Sequence, residues 1–106
     1  MEIPLEIDVV TAARRLKEGA LLLDVREADE VAACAIAGSR HIPMRQIPES
    51  LTDLPRDRLI LVQCHHGGRS MRVTQFLRAN GFNQVTNVAG GIDAWAVQID
   101  PKLPRY

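Results

Sequence analysis

The chain has 106 residues, 13 basic and 13 acidic side chains, and no net charge. That is the size of one domain, expected here over 1–106, and it allows about 65% of the unfolded surface to be buried without metal or disulfide support. An apolar fraction of 46% and a charged fraction of 25% exclude a disordered or collagen-like chain, and neutrality removes any global attraction to nucleic acid or an anionic membrane.

In chain order, the start Met1 to Glu6 is acidic and lacks an apolar h-region, so no signal peptide is expected. Leu5-Glu6-Ile7 reads as a short strand. Asp8 reads as the cap of a helix to about Lys17, with Leu16 and the alanines inward and Gly19 as the stop. Ala20 to Val25 is an apolar run that suits a strand covered on both faces. Glu27 to about Cys34 reads as a short helix. The longest apolar stretch, Val31 to Ala37, falls far short of the ~20 residues a membrane helix needs. Arg40-His41-Ile42 is a brief strand closed by Pro43, and Pro48 opens a short helix to about Thr52, where its missing N–H is not needed. Leu59 to Gln63 is a strongly bounded strand. A helix begins near Arg69, with Val73, Phe76 and Leu77 spaced to face inward and Asn80-Gly81 ending it. Gln84 to Val88 is a fifth strand. Gly90-Gly91 breaks the chain before a helix around Asp93 to Val97, and Pro101 and Pro104 mark an irregular tail. Strands alternating with helices imply an α/β fold with a parallel sheet and helices on both faces. Ligands bind such sheets at the carboxyl ends of the strands, which singles out Val25, Cys64 and Ala89.

Chemistry concentrates in Leu61-Val62-Gln63-Cys64-His65-His66-Gly67-Gly68-Arg69-Ser70. A buried strand ends, a cysteine follows at once, two glycines permit a tight loop, and a helix starts. Backbone N–H groups of such a loop can converge on one centre. A helix N-terminus adds unpaired donors and positive partial charge there, and Arg69 adds a full charge. All three favour a thiolate at Cys64 and would equally stabilise an anion built on it, such as a persulfide. The bland alternative is an inert buried cysteine; the glycines and Arg69 beside it weigh against that. Cys34, in an alanine-rich helix with no glycine loop or basic partner, reads as structural, with a resolving thiol as its alternative. The two cysteines could form one disulfide, but free thiols in a reducing, cytoplasmic setting fit the count better. Three consecutive residues rarely aim at one ion, so Cys64, His65 and His66 do not read as a metal site. The histidines are proton donors or anion contacts at the loop rim, or merely solvated. For His41 the functional and structural readings stay open.

These residues form a pattern. Leu22-Leu23-Asp24-Val25-Arg26-Glu27, His41-Ile42-Pro43, the loop Cys64 to Ser70, and Asn87-Val88-Ala89-Gly90-Gly91-Ile92-Asp93-Ala94-Trp95 stand in an order and spacing that resembles the single-domain rhodanese-like sulfurtransferases. The likeness runs from about Ile7 to Trp95, with bacterial stand-alone members the most similar. Modules fused to adenylyltransferases are similar too, down to a tail like Asp100-Pro101 and Pro104-Arg105-Tyr106. The resemblance implies an open twisted parallel sheet of about five strands flanked by helices. It implies a nucleophile, Cys64, that takes a sulfane sulfur as a persulfide and passes it to cyanide or a thiol in a double displacement, with no cofactor. By the same resemblance the amides of His65, His66, Gly67, Gly68 and Arg69 cradle the persulfide, and Arg69 contacts an anionic donor. The spacing from Cys64 to Arg69 is C-x4-R, one residue shorter than in the related phosphatases, which favours sulfur over phosphate. Asp24 and Arg26 occupy the family's Asp-x-Arg position, either at the site rim or as an ion pair fixing the strand end. Gly90, Gly91 and Trp95 read as architectural. Two stretches depart from the family: Cys34-Ala35-Ile36-Ala37 with Gly38-Ser39 replaces its usual Gly-His-Ile-Pro, and Val31 replaces an aromatic. The expected partners are a small sulfur donor and a cyanide or thiol acceptor. In a second reading the domain is a carrier served by a partner protein, whose acidic face would meet a basic rim of Arg40, Arg45, Arg69 and Arg72; the bland reading of these arginines is solvation.

Overall fold

A computed structural model describes residues 3–106; the first two residues of the acidic start lie outside them. Five strands form one parallel sheet: β1 (Glu6–Ile7), β2 (Leu21–Asp24), β3 (Arg40–His41), β4 (Ile60–Gln63) and β5 (Val85–Val88), in the order β1-β5-β4-β2-β3. Between them run helices α1 (Val9–Lys17), α2 (Ala28–Ala33) and α3 (Gly68–Ala79), and α4 (Gly91–Gln98) follows β5. Two 3-10 turns, Met44–Gln46 and Pro48–Asp53, bridge β3 and β4.

Alternation along the strands divides the core. Leu21 and Leu23 of β2, Ile60 and Val62 of β4 and Val85 of β5 point to the face covered by Val73 and Leu77 of α3. Leu22, Leu61 and Val88 point the other way, against Val9 and Ala12 of α1 and Ile92 and Trp95 of α4. Every residue of β2, β4 and β5 is buried, as the apolar runs require of strands covered on both faces. Each fully buried Leu or Ile contributes about 1.5–3 kcal/mol. Asp8 caps α1 as read, its carboxylate accepting from the Thr11 N–H at 2.8 Å, a contact worth about 1 kcal/mol.

The structure corrects three expectations. Phe76 is 37% exposed rather than inward; with Val73 and Leu77 already filling the α3 face, its position falls at the edge of the apolar stripe. Cys34 ends α2 as its extended C-cap, not as a helical residue. Helix α4 starts at Gly91, two residues early, because Gly90 itself is its left-handed N-cap. No helix among the described residues is long and apolar enough to cross a membrane.

The chain runs from β2 outward to β3, then back past β2 to β4 and on to β5. The winding therefore reverses between β2 and β4, and the crevice at their carboxyl ends is where such a sheet presents a ligand site. Cys64 follows β4 there, and Arg26 follows β2. Val25 and Ala89 serve the sheet instead: Val25 N–H donates to the Gln63 carbonyl and Ala89 N–H to the Ile7 carbonyl.

Candidate active site

Cys64 leaves β4 with its side chain turned into the α3 core layer and is 1% exposed. The loop after it reverses at Gly67, whose φ of +112° is a conformation that side chains other than glycine rarely adopt. That reversal aims the Gly67 N–H (3.2 Å) and, from the first turn of α3, the Ser70 N–H (3.4 Å) at the Cys64 Sγ, with the Ser70 Oγ at 3.3 Å. Asn87 of β5 pins the loop from below: its Nδ2 donates to the Gly67 carbonyl at 3.2 Å and to the Glu6 carboxylate at 2.8 Å.

Burial pushes the Cys64 thiol up, but the Ser70 hydroxyl and the Ser70, Gly67 and Arg69 amides outweigh it and hold the group below its ordinary value. Hydrogen bonding is therefore the leading cause of the activation, and the Arg69 charge, which also interacts with Cys64, is not. Ser70, one position beyond the expected cradle, supplies both an amide and a hydroxyl. In Ser70→Ala the apparent pKa of Cys64 is expected to rise. A rise of one unit cuts the thiolate fraction at neutral pH up to tenfold; the greater intrinsic nucleophilicity of the more basic thiolate offsets part of this, leaving alkylation at pH 7 about threefold slower. The pH profile of iodoacetamide labelling at Cys64 checks this, and an unchanged profile refutes it.

Arg69 turns away to Glu30 of α2: its two Nη groups meet the carboxylate at 2.6 and 2.8 Å. The Arg69 hydrogen bonds are the chief reason that the Glu30 carboxyl is drawn down to about 2. Since the folded pKa is depressed, this pair stabilises fully above about pH 4.5 and is lost only as pH falls towards 2.

Asp24 and Arg26 are both 0% exposed and ion-paired at 2.7 Å. They satisfy the ion-pair reading and lie beneath the rim, not on it. Arg26 uses its whole fork: Nε and Nη2 to Asp24, Nη2 also to the Cys34 carbonyl (2.7 Å), and Nη1 to the Glu30 carbonyl (3.2 Å) and the Tyr106 hydroxyl (2.9 Å). The Nε2–H of His41 donates to the Arg26 carbonyl at 2.6 Å, which gives it a structural partner. Cys34 packs with Leu22, Leu61 and Trp95 in the α1–α4 layer, opposite the layer of Cys64, and both thiols are free. The fold gives a Cys34–Cys64 disulfide no support.

The tail, which the sequence offered only as an irregular segment and a likeness to fused modules, makes contacts the sequence did not reveal. Arg105 grips Asp93 at 2.9 and 3.1 Å. Tyr106 stacks on His65, ring centroids 4.1 Å apart, and donates its hydroxyl to Glu30 at 2.9 Å. His65 in turn stacks on His66 at 4.0 Å, and burial, followed by the neighbouring His66, lowers its pKa. His65, His66 and Asp93 bring possible ligand atoms within 4.8 Å of one another. Two near-parallel rings 4.0 Å apart cannot both direct in-plane lone pairs at one ion ~2.0 Å away, and Asp93 is already taken by Arg105. Of the expected basic rim, Arg45 pairs with Glu27, Arg69 with Glu30, and Arg40 donates to the Asp53 carbonyl.

Helix α4 completes the site from the other side. The Ile92 and Asp93 N–H groups donate to the Cys64 and His65 carbonyls at 2.8 and 3.1 Å. Gly91, with φ +58°, makes this approach possible: a Cβ there would lie 2.4 Å from the Cys64 carbonyl oxygen. The Gly-Gly pair read as a plain turn is therefore the seat of the candidate loop.

The chain is similar to known proteins in sequence and fold. The family description "Rhodanese-like domain" matches residues 8–98. A sulfurtransferase of Allochromatium vinosum is 37% identical over 93 residues, covering 86% of this chain and 87% of its own. The thiosulfate sulfurtransferase GlpE of Pseudomonas putida is 35% identical over 81 residues, covering 76% and 74%. A crystal structure of a rhodanese-related protein from Thermoplasma volcanium superposes with a TM-score of 0.85 at 32% identity, covering 97% and 100%. The same unit also occurs within longer proteins, since the chain spans only 30% of a chloroplastic rhodanese-like/PpiC domain protein of Arabidopsis thaliana. The chain belongs to the rhodanese-like domain family, among relatives that are sulfurtransferases.

Proposed function

We propose that residues 1–106 form one sulfurtransferase domain that moves a sulfane sulfur from a donor such as thiosulfate to cyanide or a thiol through a persulfide on Cys64. The observation that carries this reading is the ring of donors around one sulfur: the Gly67 and Ser70 amides and the Ser70 hydroxyl, all within 3.4 Å of Sγ. In the first step the Cys64 thiolate attacks the outer sulfur of thiosulfate, the S–S bond breaks, and sulfite leaves with the bonding pair. In the second the acceptor attacks the outer persulfide sulfur and Cys64 leaves as a thiolate. The same donors hold both anionic forms, so little reorganisation separates them. His65, His66, Gly67, Gly68 and Arg69 form the wall around the transferred atom. The likeness to a thiosulfate sulfurtransferase supports thiosulfate as a donor, and a reducing cytoplasmic setting suits two free thiols.

Mass spectrometry of the protein after exposure to thiosulfate, with 3-mercaptopyruvate as a comparison donor, tests the proposal. The expected result is one added sulfur on the peptide containing Cys64 and none on that containing Cys34, removed by cyanide as thiocyanate. A protein that stays unmodified, or is modified at Cys34 alone, overturns it.

A further inference from the structure

Two ion pairs flank the Cys64 loop: Arg105 with Asp93, and Arg69 with Glu30. The second of these matters most, because Arg69 lies in the first turn of the helix whose amides hold the sulfur. Both of its Nη groups face the Glu30 carboxylate, which is the bidentate geometry in which a guanidinium would otherwise hold an anionic ligand. Glu30 is also fixed independently of Arg69. Its Oε1 accepts the Glu27 N–H at 3.1 Å and its Oε2 accepts the Tyr106 hydroxyl at 2.9 Å. Tyr106 is itself held by the buried Arg26 at 2.9 Å and by its stack on His65. A carboxylate secured at three points does not swing aside freely for an incoming anion.

We propose that Glu30, latched by Tyr106, is an internal competitor for Arg69 and sets the donor specificity of the site against doubly charged donors and in favour of persulfides carried on a thiol. The inference rests on Cys64 being the sulfur acceptor. Thiosulfate brings two negative charges to a rim whose nearest cation is already neutralised, so it must displace Glu30 or bind without a counter-ion. A hydropersulfide, R–S–SH, brings at most one charge at its reacting end and asks less of Arg69. Its transfer balances without a further reactant: the Cys64 thiolate attacks the terminal sulfur, the donor S–S bond breaks, R–S⁻ leaves with the bonding pair, and the proton remains on the transferred sulfur. Glu30 stays ionised through the neutral range, so the competition operates wherever the thiolate exists. Glu30 and Tyr106 are positioning residues here; neither receives sulfur.

Steady-state kinetics with thiosulfate and with cysteine hydropersulfide, in the native chain, Glu30→Gln and Tyr106→Phe, test the gate. Glutamine, with its Oε1 in place of the carboxylate oxygen, keeps the Glu27 N–H bond and one of the two Arg69 bonds but removes the charge. The KM for thiosulfate is expected to fall about tenfold in Glu30→Gln, with kcat and both hydropersulfide constants moving less than about twofold. Tyr106→Phe, which frees the carboxylate without removing it, should move the thiosulfate KM the same way by about threefold. An unchanged or higher thiosulfate KM in Glu30→Gln overturns the gate, and so does an equal fall for both donors, which would mean a wider site rather than a released charge. If neither donor loads Cys64 in any of the three proteins, the acceptor reading itself is overturned and the gate with it.

Discussion

Thiocyanate release from thiosulfate and cyanide is expected to fall by about 10³-fold or more in Cys64→Ser. Serine is the informative replacement because it keeps the local structure. Its oxygen can take the Gly67 and Ser70 amide donors that now point at Sγ, and the Ser70 hydroxyl can still pair with it. No buried donor is left unsatisfied, so the stability change should stay near 1 kcal/mol, a shift of about 4–8 °C in Tm for a domain of this size. What is lost is the chemistry. An alcohol in this cradle remains protonated at neutral pH, and oxygen does not replace sulfur as a carrier of sulfane sulfur. Cys34 provides the internal control: it stays in its own core layer, free and unaltered, so residual transfer in Cys64→Ser would have to come from it. Activity within tenfold of the native chain would refute the assignment of Cys64, whereas lost activity with an intact Tm supports it.

The fold was legible because its determinants are local. The apolar runs at Leu21–Asp24 and Ile60–Gln63, the Asp8 cap and the Asn80-Gly81 stop each act within a few residues of themselves. The cysteine loop was legible for the same reason: strand end, glycine pair and helix start are contiguous. What escaped was set by contacts across long sequence separations. Arg69 reads as a free cation until α2 is folded against it, because Glu30 lies 39 residues away in sequence. Tyr106 meets Arg26 across 80 residues, and no pattern in the last six residues announces that. Ser70 could have been found: a serine one turn into the helix that follows the cysteine is placed to direct both its amide and its hydroxyl back at the sulfur. Phe76 matched the helical spacing and still faces outward, since periodicity assigns a stripe but not its edge. The Asp24–Arg26 pair shows the opposite case, in which two charges one residue apart in a family pattern suggest a site yet are wholly buried. Removing either partner would strand a charge at a cost of about 3–5 kcal/mol, so its loss would register as unfolding rather than as altered specificity.

Gly91→Ala is expected to damage fold and site together. The added methyl would sit 2.4 Å from the Cys64 carbonyl oxygen and 2.5 Å from that of His65, both backbone atoms that cannot rotate away. Relief requires α4 to retreat from the loop, which stretches the Ile92 and Asp93 hydrogen bonds to those same carbonyls. The left-handed backbone at Gly91, φ +58°, adds about 1–2 kcal/mol of strain for any residue with a Cβ. With the overlap, the loss should reach about 3–5 kcal/mol, or more than about 15 °C in Tm. Because the displaced carbonyls belong to Cys64 and the residue after it, the sulfur moves relative to the Gly67 and Ser70 amides. A misplacement of about 1 Å is enough to cost roughly 10²-fold in rate, so transfer should fail even at temperatures where the variant is folded. Gly90→Ala separates the two effects. Its methyl would meet the Ala94 Cβ at 2.5 Å, within α4 itself and clear of the cysteine loop, so it should lower Tm while leaving the pH profile of Cys64 alkylation near that of the native chain. If Gly91→Ala shows native alkylation and transfer below its melting range, α4 does not set the position of Cys64, and the loop holds its sulfur through β5 and α3 alone.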